Sequence, residues 1–222
     1  WHEQSSSNVF EFYGVSFLNP TKGYIVGSNG TLIETGDGGK TWKSVSNPRD
    51  EGGTAVRRIQ FEGEMSWKAA LGFYDLCFST PQRGWGIGEV GKIMHTSDGG
   101  ETWIGQDSGD MMVGFNNLYG VYFCDAKVGW AVGAAGTVIK TADGGKTWTV
   151  QNAEPDELRG VFALNPQTAW IAGDQGSIYA TRDGGDTWTR QVTPASEKLQ
   201  GIFFINDKEG WAVGNKGTIV HT

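Results

Sequence analysis

The sequence predicts an all-β protein built from internal repeats, and three observations support this fold class. A segment of the form T-x-D-G-G-x-T-W occurs four times, at Thr35–Trp42, Thr96–Trp103, Thr141–Trp148 and Thr181–Trp188. A short [GA]-[WY]-x-[VIA]-G element precedes each copy at a constant offset. Glycine accounts for 35 of the 222 residues, in register with the repeat. Self-similarity with a period of about forty residues is typical of repeat architectures.

Each repeat divides into four short segments that we predict to be strands. In the third repeat they are Leu118–Phe123, Gly129–Gly133, Gly136–Thr141 and Thr147–Gln151. They are rich in Val, Ile, Thr and aromatic residues, and Gly, Asp or Asn separates them, which is the pattern of consecutive hairpins. No segment has an amphipathic helical period. Four antiparallel strands in about forty residues predict one blade of a β-propeller.

The internal spacing predicts five blades. Eleven residues separate the aromatic residue of the second strand from the motif threonine in every repeat: Tyr24 and Thr35, Trp85 and Thr96, Trp130 and Thr141, Trp170 and Thr181, Trp211 and Thr222. Trp1 lies eleven residues before Phe12, as Trp188 does before Leu199. We therefore predict that a strand from Trp1 to about Gln4 completes the fifth blade and closes the propeller. A slice of a longer propeller would have the same spacing.

This organisation predicts a single domain over residues 1–222, with an insertion at about residues 47–71 between the first two blades. In the repeated turn, the Asp carboxylate is expected to accept backbone hydrogen bonds, the glycines to permit positive φ, and the Trp to pack the hairpin. The four acids, Asp37, Asp98, Asp143 and Asp183, are thus interpreted as turn residues. We predict no catalytic residue, no metal site and no cofactor.

Charge and composition narrow the classes of partner. The net charge is −7 and the pI is about 5.0, without a long basic run, so nucleic acid is not an expected partner. No apolar stretch is long enough for a membrane span, so membrane insertion is not expected either. The chain is expected to be a monomeric propeller by itself. Cys77 and Cys124 are expected to be buried free thiols rather than a disulfide.

The segment G-W-A-V-G-A-A-G-T-V-I-K-T-A-D-G-G-K-T-W, at residues 129–148, matches the Asp-box or BNR repeat and resembles the photosystem II stability and assembly factor-like family. The resemblance covers nearly the whole chain outside the insertion. It implies an exported propeller, in a periplasm, lumen or extracellular space, that acts by binding protein without catalysis. The photosynthetic members have seven blades and an arginine cluster on one face, whereas this chain has five repeats and one inner-strand arginine, Arg159.

The long insertion is the first candidate binding site, because departures from a rigid repeat commonly mark the binding face. Nine of the ten tryptophans belong to the two repeated elements, and Trp67 in the insertion is the exception. It either anchors the insertion or contributes to a recognition surface with nearby basic residues. A shorter insertion at residues 106–117 could extend that surface. The predicted partner-binding residues are Trp67, Arg57, Arg58, Lys68, Met111, Met112 and Phe115.

The mouth of the central channel is the second candidate. Five residues hold the second position of the inner strand: Tyr13, Tyr74, Tyr119, Arg159 and Gln200. Alternation along a strand leaves two interpretations open, packing between blades or a ring of exposed side chains. The sequence therefore predicts a non-catalytic propeller that recognises another protein, as an assembly or stability factor for a larger complex. The alternative is a glycan-binding or glycoside-hydrolase-like Asp-box propeller.

Overall fold

A computed structural model of the protein describes residues 11–46, 59–60, 71–109, 113–151 and 156–222. Within these ranges the chain forms β-strands and short 3-10 turns, and none of the described elements is an α-helix. The described part of the chain holds no helix with the length and apolar character needed to span a bilayer. The chain divides into two compact units, Trp1–Gln106 and Asp107–Thr222.

The first unit contains two antiparallel sheets. The strands of the first sheet are β1 (Phe12–Phe17), β2 (Gly23–Gly27), β3 (Leu32–Thr35) and β4 (Lys43–Ser46). The strands of the second are β6 (Phe73–Phe78), β7 (Gly84–Gly88), β8 (Ile93–Thr96) and β9 (Trp103–Gln106), with β5 (Ile59–Gln60) added at the edge. Strand order follows the chain within each antiparallel sheet, and the innermost strands β1 and β6 pack against each other.

The second unit contains three further sheets of the same kind. The third sheet consists of β10 (Leu118–Phe123), β11 (Gly129–Gly133), β12 (Val138–Thr141) and β13 (Thr149–Gln151). The fourth consists of β14 (Leu158–Asn165), β15 (Thr168–Gly173), β16 (Ile178–Thr181) and β17 (Thr189–Arg190). The fifth consists of β18 (Leu199–Phe204), β19 (Gly210–Gly214) and β20 (Ile219–His221). The inner strand β14 packs against both β10 and β18.

Five antiparallel sheets, each beginning with an innermost strand and proceeding outward, confirm the predicted all-β propeller with five blades. The fifth blade has three strands among the described residues, and its predicted outer strand, from Trp1 to about Gln4, lies outside them. The second strands of the first four blades, β2, β7, β11 and β15, consist mainly of buried residues. In the first unit, Tyr24 and Val26 of β2 are almost inaccessible and share a core with Phe73 and Trp103.

The repeated turn has one hydrogen-bond pattern in all four copies, shown here for the third copy. The Thr141 hydroxyl donates to Asp143 Oδ1 at 2.9 Å and accepts from the Gly145 N–H at 2.8 Å. Asp143 also accepts from the backbone N–H and the hydroxyl of Thr147, at 2.9 and 2.7 Å. The glycines after each acid have positive φ, for example 77° at Gly144. The Asp-box carboxylates therefore stabilise turns.

Both cysteines are free, as predicted. They are half-buried, however, rather than fully buried. The Cys124 thiol donates to the Val128 carbonyl oxygen at 3.5 Å, and Cys124 directly follows the last residue of β10. Burial raises the pKa of the Cys124 thiol to about 11, so the thiol stays protonated at neutral pH.

Candidate functional site

A β-bulge lies at the same place in every inner strand. The pairing with the second strand skips one residue directly after the first position, between Phe12 and Gly14 in the first blade and at the equivalent place in the other four. The skipped residues are Tyr13, Tyr74, Tyr119, Arg159 and Gln200. A bulge takes its residue out of the ladder and changes the direction of its side chain. The second-position residues therefore do not follow simple strand alternation.

Glycine after the bulge lets neighbouring inner strands approach to backbone contact. A Cβ placed on Gly120 would lie 2.6 Å from the Arg159 carbonyl oxygen, and one on Gly160 would lie 3.0 Å from that of Gln200. These distances are too short for any side chain without a shift of the backbone. In the second unit, the close approach brings the bulge residues of adjacent blades next to each other.

In the first unit the bulge residues form a pair of tyrosines. The ring centroids of Tyr13 and Tyr74 are 5.5 Å apart. The Tyr13 hydroxyl donates to a Glu11 carboxylate oxygen at 2.5 Å, and this hydrogen bond is the main reason why the pKa of Tyr13 rises to about 12. Tyr13 is 47% exposed. The pair thus packs ring against ring and still presents aromatic surface and a hydrogen-bonded acid to solvent.

In the second unit the bulge arginine is held by two acids and a ring. The Arg159 guanidinium lies 4.3 Å from the ring centroid of Tyr119, and its Nε donates to Asp174 at 3.1 Å. Glu157 lies 3.5 Å from another guanidinium nitrogen. Asp174 also pairs with Lys198 at 3.2 Å. The charge of Arg159 is therefore balanced locally, and the site is a planar, preorganised group rather than an isolated cation.

Gln200, at the fifth position, is exposed, and its side-chain amide donates to Asn215 Oδ1 at 3.2 Å. Tyr13 and Tyr74 offer aromatic faces in the first unit, and Tyr119, Arg159 and Gln200 offer an aromatic ring, a paired guanidinium and one amide in the second. These groups suit hydrogen bonding and stacking with a polypeptide. The described residues contain no group of three or more His, Cys, Asp or Glu side chains that could hold a metal ion.

The predicted partner-binding residues fall mostly outside the described ranges: Arg57, Arg58, Trp67, Lys68, Met111 and Met112. Phe115 is described, on a 3-10 turn over Val113–Phe115. Val113 is buried beneath this turn, whereas Phe115 is 71% exposed. The adjacent Asn116 donates to the Thr137 hydroxyl at 2.8 Å, which fixes the turn. The exposed Phe115 ring therefore lies on a turn whose position is fixed by the hydrogen bond between Asn116 and Thr137.

Sequence reasoning overlooked two titratable side chains that contact the end of the long insertion, and burial lowers the pKa of one of them, Lys92, well below its usual value. Lys92 and Glu89 lie in the hairpin between β7 and β8 and bind the backbone of Leu71 and Gly72. The position of Lys92 holds Thr or Ser in the other four blades: Thr31, Thr137, Ser177 and Thr218. A lysine at a position otherwise occupied by small hydroxyl residues was a readable signal.

A pocket in the second unit bears on the alternative function. It lies beside β20, where the rings of Trp170 and Phe204 stack at a centroid distance of 3.7 Å. Arg182 and His221 contribute polar groups, and Asp207 is the one acidic side chain among the described residues that line it. Glycoside hydrolysis generally needs two carboxyl groups about 5 to 10 Å apart. The described lining of this pocket does not supply such a pair.

Comparison with known proteins gives one family. The sequence model of the family described as photosynthesis system II assembly factor YCF48 matches residues 1–72, 68–196 and 158–222. The photosystem II assembly lipoprotein Ycf48 of Synechococcus sp. (strain CC9902) is 37% identical over 91 residues, which are 40% of this chain and 22% of that relative. The match thus spans about a fifth of the relative's length.

Solved structures agree in fold. YCF48 from Cyanidioschyzon merolae superimposes with a TM-score of 0.70 and 21% identity, over 98% of this chain and 68% of that one. A structure of YCF48 bound to D1 peptide gives a TM-score of 0.51 and 19% identity, over 97% and 94% of the two chains. Because the overlapping segments of the family model extend from residue 1 to residue 222, the chain belongs to the family of the photosynthesis system II assembly factor YCF48.

Proposed function

We propose that this chain is a non-catalytic propeller that binds another protein and acts as an assembly or stability factor for a larger complex. The observation that carries the proposal is the bulge that recurs after the first residue of every inner strand. At these positions Tyr13 and Gln200 are exposed, and Arg159 is held in a fixed orientation. Rigid aromatic and planar polar groups are typical of protein recognition sites.

The class of ligand follows from the family. One relative is named as an assembly lipoprotein, and another member was solved with a D1 peptide. Both names support a polypeptide segment as the ligand of this chain. They also support export from the cytoplasm, which we propose for this chain in agreement with its family. We further propose that the propeller is a monomer in the absence of its partner.

We propose that the two insertions extend the binding surface through Trp67, Arg57, Arg58, Lys68, Met111, Met112 and Phe115. Phe115 supports this proposal directly, since a phenylalanine that is 71% exposed on an anchored turn is available for contact. Tryptophan and arginine are enriched among the residues that dominate binding energies, and methionine adapts to irregular apolar partners. Basic side chains on a protein of net charge −7 would favour an acidic segment of the partner.

We also propose that this chain is not an enzyme. Its support is that the four Asp-box carboxylates already accept hydrogen bonds from their own turns, and that the described lining of the Asp207 pocket offers a single acid. A glycoside hydrolase has less support from these residues. Hydrolysis of any polysaccharide by the purified chain, or specific binding on a glycan array, would favour the alternative function.

Isothermal titration calorimetry of the wild-type chain with a D1 peptide tests the proposed function. A variant with Trp67→Ala and Arg58→Ala should bind at least about tenfold more weakly, because truncation of a single dominant contact costs about 2 kcal/mol. Lys146→Ala is the matched control, since it removes an exposed cation from an Asp-box turn. Affinity capture from an extract with the same variants extends the test to larger partners. Equal binding by all three proteins would exclude the insertion as the binding surface.

A further inference from the structure

In the first unit, the motif tryptophan of the second blade completes an aromatic cluster at the boundary between two sheets. The rings of Tyr24 and Phe78 stack at a centroid distance of 5.4 Å. Trp103 meets both rings edge-on, at 6.2 Å from Tyr24 and 5.7 Å from Phe78. Trp103 is 1% exposed and belongs to the same core as Tyr24. A third aromatic ring therefore covers the stacked pair.

The second unit has the equivalent stacked pair, and a pocket lies beside it. Trp170 of β15 and Phe204 of β18 hold the positions of the first-unit pair, and their rings stack at 3.7 Å. Ala212 and Val220 also line the pocket, which has a volume of about 200 Å³. An apolar cavity of about 150 Å³ accommodates a benzene ring. The pocket therefore has room for an aromatic side chain next to the stacked pair, as Trp103 lies next to its own pair.

The strand at this pocket has an edge that can pair with a further strand. In the third blade, β12 pairs through Val138 and Lys140 with the outer strand β13. The equivalent residues of β20 are Ile219 and His221, and both are exposed. Among the described residues, β20 has β19 as its one neighbouring strand. An extended segment can add to such an edge through main-chain hydrogen bonds.

A charged pair accompanies the tryptophan in the first unit. The Lys22 Nζ lies 5.8 Å from the ring centroid of Tyr24 and 3.1 Å from Glu101 Oε1. Glu101 precedes Trp103 by two residues in the Asp-box motif. The segment that supplies the third ring thus also supplies a carboxylate to a cation above the stacked pair.

The pocket of the second unit has its own cation. The Arg182 guanidinium lies 4.8 Å from the ring centroid of Trp170, and one of its nitrogens donates to the Asp207 carbonyl oxygen at 3.2 Å. Lys208 also lines the pocket, whereas Asp207 provides the one acidic side chain among the described lining residues. This excess of positive charge favours a ligand that carries a carboxylate close to its aromatic ring.

We propose that the pocket beside β20 binds a tryptophan-bearing segment of a protein partner, which adds to the edge of β20 in an extended conformation. The indole occupies the pocket next to Trp170 and Phe204, and a carboxylate two residues before it pairs with Arg182. Tryptophan is enriched among the residues that dominate binding energies. None of the lining residues belongs to the bulge positions or to the two insertions, so the site rests on the proposed function only in that its ligand is a polypeptide.

Calorimetry with a peptide of this chain's own motif tests the site. The probe is a synthetic peptide with the sequence of residues 98–106, D-G-G-E-T-W-I-G-Q, because it carries an acid and a tryptophan at the proposed spacing. Replacing its tryptophan by alanine should weaken binding to the full chain at least about tenfold. Replacing its glutamate by glutamine should weaken binding about threefold, since an exposed ion pair contributes modestly.

Variants of the chain test where the peptide binds. Arg182→Gln should weaken binding of the original peptide about threefold and remove the difference between the glutamate and glutamine peptides. Arg190→Gln is the matched control, because Arg190 is an exposed arginine of the same blade and is not among the described lining residues. Both substitutions replace exposed side chains, so both variants should fold, and circular dichroism checks this.

Three results would overturn the proposal. The first is equal binding of the tryptophan and alanine peptides, which excludes an aromatic site. The second is an equal loss of affinity in Arg182→Gln and Arg190→Gln, which excludes this pocket. The third is binding that requires Trp1→Ala, because the predicted first strand of the chain would then be the occupant. The D1 peptide and the Trp67→Ala, Arg58→Ala variant test the proposed function separately, so failure of one proposal is distinguishable from failure of the other.

Discussion

At the scale of single residues, the Asp-box acids are carboxylates whose role is to accept the hydrogen bonds that stabilise a turn. Asp37 accepts hydrogen bonds from the hydroxyl and N–H of Thr41 and from the Thr35 hydroxyl. These bonds favour the ionised form and lower the pKa of Asp37 from 3.8 to about 2. An acid with such a low pKa cannot act as a proton donor near neutral pH.

The lowered pKa predicts how stability depends on pH. The contribution of Asp37 is fully present above the unfolded pKa of 3.8 and is lost as the pH falls toward 2. Asp37→Asn should therefore be less stable than wild type at pH 7, and the difference should shrink between pH 4 and pH 2. Urea unfolding at several pH values measures this. Asp186→Asn, at an exposed variable position of the fourth motif, is the control for the change in net charge. If the free energy of unfolding depends on pH in the same way for Asp37→Asn and wild type, the prediction is wrong.

At the scale of elements, Asp-box turns also attach their blade to the preceding one. In the first unit, the Tyr24 hydroxyl of β2 donates to the Gly99 carbonyl oxygen of the second blade at 2.6 Å. A Cβ on Gly100 would lie 2.3 Å from the Tyr24 ring, so the turn rests directly on the aromatic ring. In the second unit, Lys140 and the Gly184 carbonyl form the corresponding contact. The same motif thus closes a hairpin and joins two sheets.

The hydrogen bond between Tyr24 and Gly99 predicts that two Tyr→Phe substitutions will differ in their effect on stability. Tyr24→Phe keeps the ring and leaves the buried Gly99 carbonyl without its donor, which should lower the free energy of unfolding by about 1 to 3 kcal/mol. Tyr13→Phe removes an exposed hydroxyl that bonds Glu11, and it should change stability by less than about 0.5 kcal/mol. Denaturant unfolding of both variants measures the two effects. Equal losses would show that the Tyr24 bond does not join the blades.

The elements could be predicted because their signals recur. Five equal spacings between strand-two aromatics and motif threonines were sufficient to place the strands. The bulge at Tyr13 and its equivalents could not be read in this way, since strand alternation assumes an uninterrupted ladder. The hydrogen bond from Lys92 to the Leu71 carbonyl oxygen could not be read either, because it joins residues that are twenty-one positions apart in the chain. The repeated motif predicts the strands and turns that all blades have in common. It gives little information about a contact that occurs in one blade only.

At the scale of the whole molecule, the chain comprises two compact units, divided at Gln106 and Asp107. We propose that residues 1–222 nevertheless behave as one domain, with the insertion at about residues 47–71 as a local addition. The prediction is a single cooperative thermal transition, with coincident curves from far-UV circular dichroism and tryptophan fluorescence. Fluorescence follows the unfolding of both units, because two motif tryptophans lie in the first unit (Trp42 and Trp103) and two in the second (Trp148 and Trp188). Two separated transitions would show that the units unfold independently.

The recurrent bulge has a consequence for how such a protein changes over evolution. The residue at the bulge has no partner in the register between the first and second strands of its blade. Tyrosine, arginine and glutamine all occupy this position in one chain, while the following residue is glycine in four of the five blades. The bulged backbone is therefore compatible with side chains of different chemistry. The inner strands of the five blades thus combine one backbone irregularity with side chains of different chemistry.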